Sequence, residues 1–254
     1  MSKLVAFSIA ILLFSCQGTS KKSLPSTIPD TTGTTVTAEI KDLVQSDSHS
    51  FKVEIEKITA AQLDSAMAYA KPKQPIVKIT DFEVVQKKLS GIVDFRVEDG
   101  YLGIKRINFR NGTNSGDKEE FEEYAFVAYF PDEDILLCEG GHTTDISFDL
   151  GTGQETYEVG NPDLATISPN GKYRLNKVFE GQECFFHFIQ KKERNKFRKV
   201  LDLSEAFEKK TNKWLCVTGK EFWTDDVTLY LGLVTQYKED GNEYDYYKIK
   251  IIDR

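Results

Sequence analysis

From Phe51 the chain alternates: Phe51, Val53 and Ile55 are apolar, while Lys52, Glu54 and Glu56 are charged. A period of two predicts a strand with one face in the core. The next segment, TAAQLDSAMAYAKP, changes period. Thr59 and Gln62 have the spacing of a capping box, in which hydroxyl and amide satisfy backbone donors reciprocally. Leu63, Ala66, Met67 and Ala70 then fall on one helical face, and Pro72 forbids continuation. The spacing predicts one short amphipathic helix whose Met and Ala stripe packs into the core.

Beyond it the pattern is strand after strand. GIVDFRVEDGYLGIKRINF places Asp99-Gly100 between alternating runs, a hairpin signal. GTNSGDKEEFEE is a polar, acidic loop. EYAFVAYFPDEDILLCEGG, TDISFDLGTGQETYEVG and ATISPNGKYRLNKVF follow, with turn residues between apolar runs. ECFFHFIQKKERNKFRKVLDL predicts two strands around a basic turn, LSEAFEKKTNKW one or two helical turns, and the C-terminal segment an aromatic-rich hairpin. Three stretches, YFPDEDILLC, ISPNGKYRLN and FWTDDVTLYL, repeat an order of strand, polar turn and strand. Pro131 and Pro169 are 38 residues apart and Thr224 lies a further 55 along. The first spacing suits a four-stranded unit; the second requires an insertion, for which KKERNKFRKVLDLSEAFEKKTNK is the candidate.

FDLGTGQ (Phe148 to Gln154) and ISPNGKY (Ile167 to Tyr173) resemble the hairpin turns of β-propeller repeat proteins. Gly accepts positive φ, Pro fixes its own and Asn tolerates the left-handed region, so any antiparallel protein uses such residues. The resemblance implies two or three blade-like units over residues ~125–254, fewer than the four of a closed ring. The expected fold is therefore mainly β: antiparallel sheets in propeller-like or open blade-like repeats, or a β-sandwich sharing these turns, with one or two short helices.

The N-terminus is of another kind. Lys3 precedes an apolar run, Leu4 to Phe14, of the length of a secretory signal and too short for the ~20 residues that span a bilayer. Leu13, Phe14, Ser15 and Cys16 resemble the lipobox of bacterial lipoproteins. That resemblance implies removal of residues 1–15 and a diacylglyceryl thioether on Cys16, with two or three acyl chains. Each buried methylene contributes roughly 0.8 kcal/mol, and stable anchoring takes at least two signals. The other reading is ordinary secretion with cleavage after Gly18. Residues 16–48 read as a lipidated N-terminus and a Ser/Thr/Pro-rich tether that cannot bury enough apolar surface to fold. Its stretch from Gln17 to about Gln45, ~29 residues, reaches roughly 30 Å. Gln17 is not the acidic residue that in some bacteria retains lipoproteins on the inner membrane, which points to the outer one.

Residues 49–254 form the expected globular domain. Forty per cent hydrophobic and 12% aromatic residues supply a core, and a net charge of −7 argues against nucleic acid. Past Cys16, Cys138, Cys184 and Cys216 lack CxxC spacing, so no zinc site is expected. They read as three small buried hydrophobes, or as one disulfide plus one thiol in an oxidising compartment.

Candidate chemistry is sparse. In CEGGHTTD, His142 and Asp145 are the metal candidates, although a site wants three or more ligands. His187, in CFFHFI, reads as a packed histidine. Asp132, Glu133, Asp134, Asp225, Asp226, Asp240, Glu243 and Asp245 read as solvated turns. No cofactor motif is present. Exposed aromatics at Trp214, Trp223, Tyr244 and Tyr246 would suit a sugar or a protein partner. These features point to a lipid-anchored cell-envelope protein that binds or assembles rather than catalyses. The alternatives are an envelope hydrolase of glycans or peptides using paired carboxylates, and a purely structural component.

Overall fold

The computed structural model describes residues 51–72, 75–141 and 143–252. The expected leader and tether, Cys16 and His142 lie outside them. Lys52–Ile58 forms β1 and Ala60–Met67 forms α1. The capping box at α1 is in place: Gln62 N donates to Thr59 Oγ1 at 3.3 Å, and Thr59 N donates to Gln62 Oε1 at 2.8 Å. On the expected apolar face Leu63 is buried but Met67 is 42% exposed. A further helix, α2 (Phe82–Lys88), starts at Asp81, whose carboxylate accepts from Val84 N. Two turns are too few for a helical period to stand out among strands, which is why the pattern did not predict it.

The first sheet is an antiparallel run of β2 (Val93–Glu98), β3 (Tyr101–Ile107), β4 (Ala125–Phe130), β5 (Ile135–Glu139) and β6 (Asp145–Asp149). Asp99 and Gly100 join β2 to β3 with φ of 48° and 84°, the left-handed pair a two-residue hairpin favours. After β6, Asp149 Oδ1 accepts from Gly151 N and Thr152 N and turns the chain. One helical turn, α3 (Thr156–Val159), leads to the second sheet. This comprises β7 (Thr166–Ile167), β8 (Tyr173–Gly181), β9 (Cys184–Glu193) and β10 (Lys196–Asp202), again antiparallel in order, with the Ser-Pro-Asn-Gly turn between β7 and β8. α4 (Leu203–Thr211) follows, capped by Asp202 on Glu205 N. The third sheet combines β11 (Thr218–Trp223), β12 (Thr228–Gln236) and β13 (Glu243–Ile252) with β1, which pairs antiparallel to β13 from Lys52↔Ile252 to Ile58↔Tyr246.

The architecture is mainly β and, among the described residues, comprises three open antiparallel sheets with four short helices, where one or two were expected. The presumed insertion at 191–213 is corrected as well. Its first part is the β9–β10 hairpin that completes the second sheet, and the extra length is α4 with its exit.

One core joins the second and third sheets, and another seats α3 on the first. Leu175 and Ile189 of the second sheet meet Leu229, Leu231, Tyr247 and Ile249 of the third, with Leu203 and Phe207 of α4 in the same cluster. On the first sheet, Ala128 and Phe130 of β4 and Ile135 and Leu137 of β5 enclose Val159 of α3. The outer faces are covered in turn: α2 packs Val85 onto the first sheet beside Ile104, Leu136 and Phe148, and α1 packs Leu63 against Ile58 and Phe222 of the third. Sheets covered on both sides bury residues of both parities.

Cys184 and Cys216 form a disulfide with Cα atoms 4.8 Å apart, while Cys138 is a buried free thiol. Of the two readings of the sequence, this is the disulfide plus one thiol. The chain leaving α4 runs beside the start of β9, where Phe185 N donates to Cys216 O at 3.3 Å.

Candidate binding site

The four aromatics expected to form a ligand face do not share one surface. Trp223 is 2% exposed, and its indole Nε1 donates to Thr166 O at 2.9 Å, fastening β11 to β7. It is a core residue, because its side of β11 faces the second sheet. Trp214 is 69% exposed. Its neighbour Lys213 pairs with Asp245, which alternates with Tyr244 and Tyr246 and so points to the other face of β13.

Tyr244 and Tyr246 do form a pair, on the outer face of the third sheet. Gly219, Gly232 and Tyr246 lie in one cross-strand row. The two glycines leave a bare floor over which Tyr244 lies. A Cβ at Gly232 would sit 2.9 Å from Tyr244 Cδ1, and one at Gly219 would sit 3.2 Å from Tyr244 Cε1. Glycine is needed here for close approach. The two rings stack at 5.9 Å with an 18° interplanar angle. A bulge between Gly219 and Phe222 puts Lys220 in the left-handed region, φ 54°. Its ammonium stands 5.1 and 5.0 Å from the two ring centroids and donates to Tyr246 Oη at 2.9 Å. That hydrogen bond raises the Lys220 pKa.

The adjacent row is Glu56, Lys248, Tyr230 and Phe222. Phe222 and Tyr230 stack at 5.1 Å, nearly parallel at 4°. Beside α1 this row opens into a cleft of ≈ 370 Å³ lined by Tyr230, Gln62 and Ser65. The outer face thus carries two stacked aromatic pairs with an exposed ammonium at one end. Sequence reasoning missed Lys220, Tyr230 and the two glycines; the available signal was a lone glycine inside each strand pattern.

Asp145 is a brace rather than a ligand. Its Oδ1 accepts from Asn161 Nδ2 at 3.1 Å and its Oδ2 from Phe179 N at 2.8 Å, tying β6 to β8. Burial raises its pKa against those two bonds. Among the described residues no three potential metal ligands gather. His187 is fully buried between the second and third sheets, with Nδ1 3.1 Å from Phe185 O and Nε2 2.8 Å from Thr218 Oγ1. Burial, reinforced by the Lys177 ammonium, lowers its pKa to about 4. Lys177 pairs with Glu221 at 2.6 Å in the same interface.

The carboxylates at turns mostly serve the turns themselves. Asp225 accepts from Val227 N and Thr228 N, Asp226 from Asn170, and Asp134 pairs with Arg110 at 2.7 Å. Glu243 pairs with Lys238 and Asp245 with Lys57, while Asp132 and Asp240 are exposed. Glu133 departs from the solvated-turn expectation by pairing at 2.8 Å with Arg174, whose side chain is 1% exposed.

No family model, curated protein or solved structure matches the chain.

Proposed function

We propose that the protein is a lipid-anchored component of the bacterial cell envelope, held through Cys16 on the outer membrane, and that it binds a partner rather than catalysing a reaction. The binding reading is carried by the Tyr244–Tyr246 pair on its glycine floor with Lys220 above it. Flat aromatic surface beside an exposed ammonium suits a hydroxyl-rich or anionic group on a glycan or protein. A disulfide between Cys184 and Cys216 supports an oxidising compartment. The rival hydrolase would need two carboxylates free to exchange protons, whereas Asp145, a half-buried carboxylate lining a cleft, has both oxygens engaged.

The test is capture from detergent-solubilised envelopes by the full chain and by its Tyr244→Ser/Tyr246→Ser variant. A partner retained by the first and lost by the second supports the reading. Equal capture by both removes the platform from the account.

A further inference from the structure

A second concavity lies where the first and second sheets meet, with a volume of ≈ 350 Å³. Small-ligand sites occupy roughly 300–1,000 Å³. Three aromatic rings wall it: Tyr124 ahead of β4, Tyr157 of α3 and Phe179 of β8. Its charged lining is all of one sign, from Glu120, Asp145, Glu155 and Glu180. Among the described residues Lys118 is the cation that meets this group, 3.2 Å from Glu155 and 3.4 Å from Glu120. One ammonium against four carboxylates leaves the cleft negative.

The phenols register that field. The pKa of Tyr124 is raised by burial and then by Glu120 and Glu155; that of Tyr157 is raised by burial and then by Glu180. Ser147 follows the lining residue Ile146 in β6. It lies on the same face of β6 as Asp145, is fully buried, and its hydroxyl has no partner among the described residues. Its amide donates at 3.3 Å to Oγ1 of Thr156, which lines the cleft.

We propose that this cleft binds an organic cation, an alkyl ammonium carried by a free amine or by a lysine side chain. Aromatic faces attract such a group through their quadrupoles, and carboxylates accept its N–H donors. The acceptors are already oriented: Tyr157 Oη donates to Glu180 Oε1 at 3.0 Å, and Lys118 fixes Glu155. The alkyl stem would lie along the rings while the ammonium reaches the carboxylates. This site shares no residue with the Tyr244–Tyr246 platform, so either can fail without the other.

The test is calorimetric titration of the full-length chain with n-butylammonium chloride, with butan-1-ol as a neutral match of similar size, and with a blocked tetralysine peptide. Butylammonium should bind at least about tenfold more tightly than butanol, and Glu180→Gln or Glu155→Gln should each weaken it about threefold or more, since both keep the shape and remove one charge. Raising the salt should weaken it further. If the peptide binds and Glu180→Gln weakens it, the source is a lysine side chain; if butylammonium alone binds, the source is a free amine. Equal affinity for butanol and butylammonium, no binding of either cation, or an affinity that neither glutamine variant changes would overturn the proposal. Melting temperatures of the variants within a few degrees of the parent establish that a lost heat is not a lost fold.

Discussion

Glu133→Ala tests whether the first and second sheets are held together by a buried charge pair. Glu133 sits in the β4–β5 turn and reaches Arg174 Nη1 on β8 at 2.8 Å. The guanidinium lies 4.1 Å from the Phe197 ring centroid, its Nε donates to Gln190 Oε1 at 2.6 Å, and its Nη2 is buried without a partner. Burial lowers the Arg174 pKa and the Glu133 carboxylate opposes that shift. Removing Glu133 strands the positive charge between the sheets. Loss of one member of a buried pair costs about 3–5 kcal/mol, and the 15% exposure of Glu133 puts the expectation near 3. At 2–4 °C per kcal/mol for a domain of this size, the melting point should fall by about 6–12 °C. Glu133→Leu combined with Arg174→Met removes both charges and the unpaired Nη2. Gln190 still accepts from Asn176 Nδ2 at 2.9 Å, so the double variant should lie within about 1 kcal/mol of the parent. Urea unfolding followed by circular dichroism measures both. A single-variant loss below about 1 kcal/mol, or a double variant as weak as the single, would refute the reasoning.

Other consequences follow from the same contacts. Replacing Cys184 and Cys216 by Ala opens a cross-link between residues 32 apart and should cost about 3–4 kcal/mol; thiol titration of the denatured, unreduced protein should find Cys138 and neither of the pair. His187 has a folded pKa of about 4 against an ordinary 6.5, so the unfolded chain binds the extra proton between those values. Its contribution is therefore intact above pH 6.5 and falls by roughly 3 kcal/mol as the pH drops to 4, and His187→Gln should flatten that part of a stability–pH curve. Gly232→Ala would press a methyl onto Tyr244, displacing the ring at a cost of about 1–3 kcal/mol and changing the near-ultraviolet dichroism of the tyrosines.

Local features of the fold were legible in the sequence. The Thr59/Gln62 box, the alternation of β1 and the turns at Asp99-Gly100 and Ser168 to Gly171 each depend on neighbours a few residues apart. What the pattern could not carry is non-local. β1 pairs with β13 at the far end of the chain, and nothing in Lys52–Ile58 names that partner. The exposure of Trp223 failed for a related reason. A period of two separates the faces of a strand, but the third sheet is covered on both, so Trp223 and Phe222 are buried on opposite sides. The tyrosine pair was found because Tyr244 and Tyr246 are two apart. Lys220 was not, because only a bulge brings its ammonium over them. The acidic cleft joins residues from α3, β6, β8 and the segment before β4, a grouping that exists only once two sheets meet.

The placement of the whole protein depends on its N-terminus, and the intact mass of the native protein extracted from membranes measures that directly. The account predicts a chain beginning at Cys16 that carries a diacylglyceryl group, with or without a third acyl chain. A bare, unacylated chain starting beyond residue 16 would contradict it.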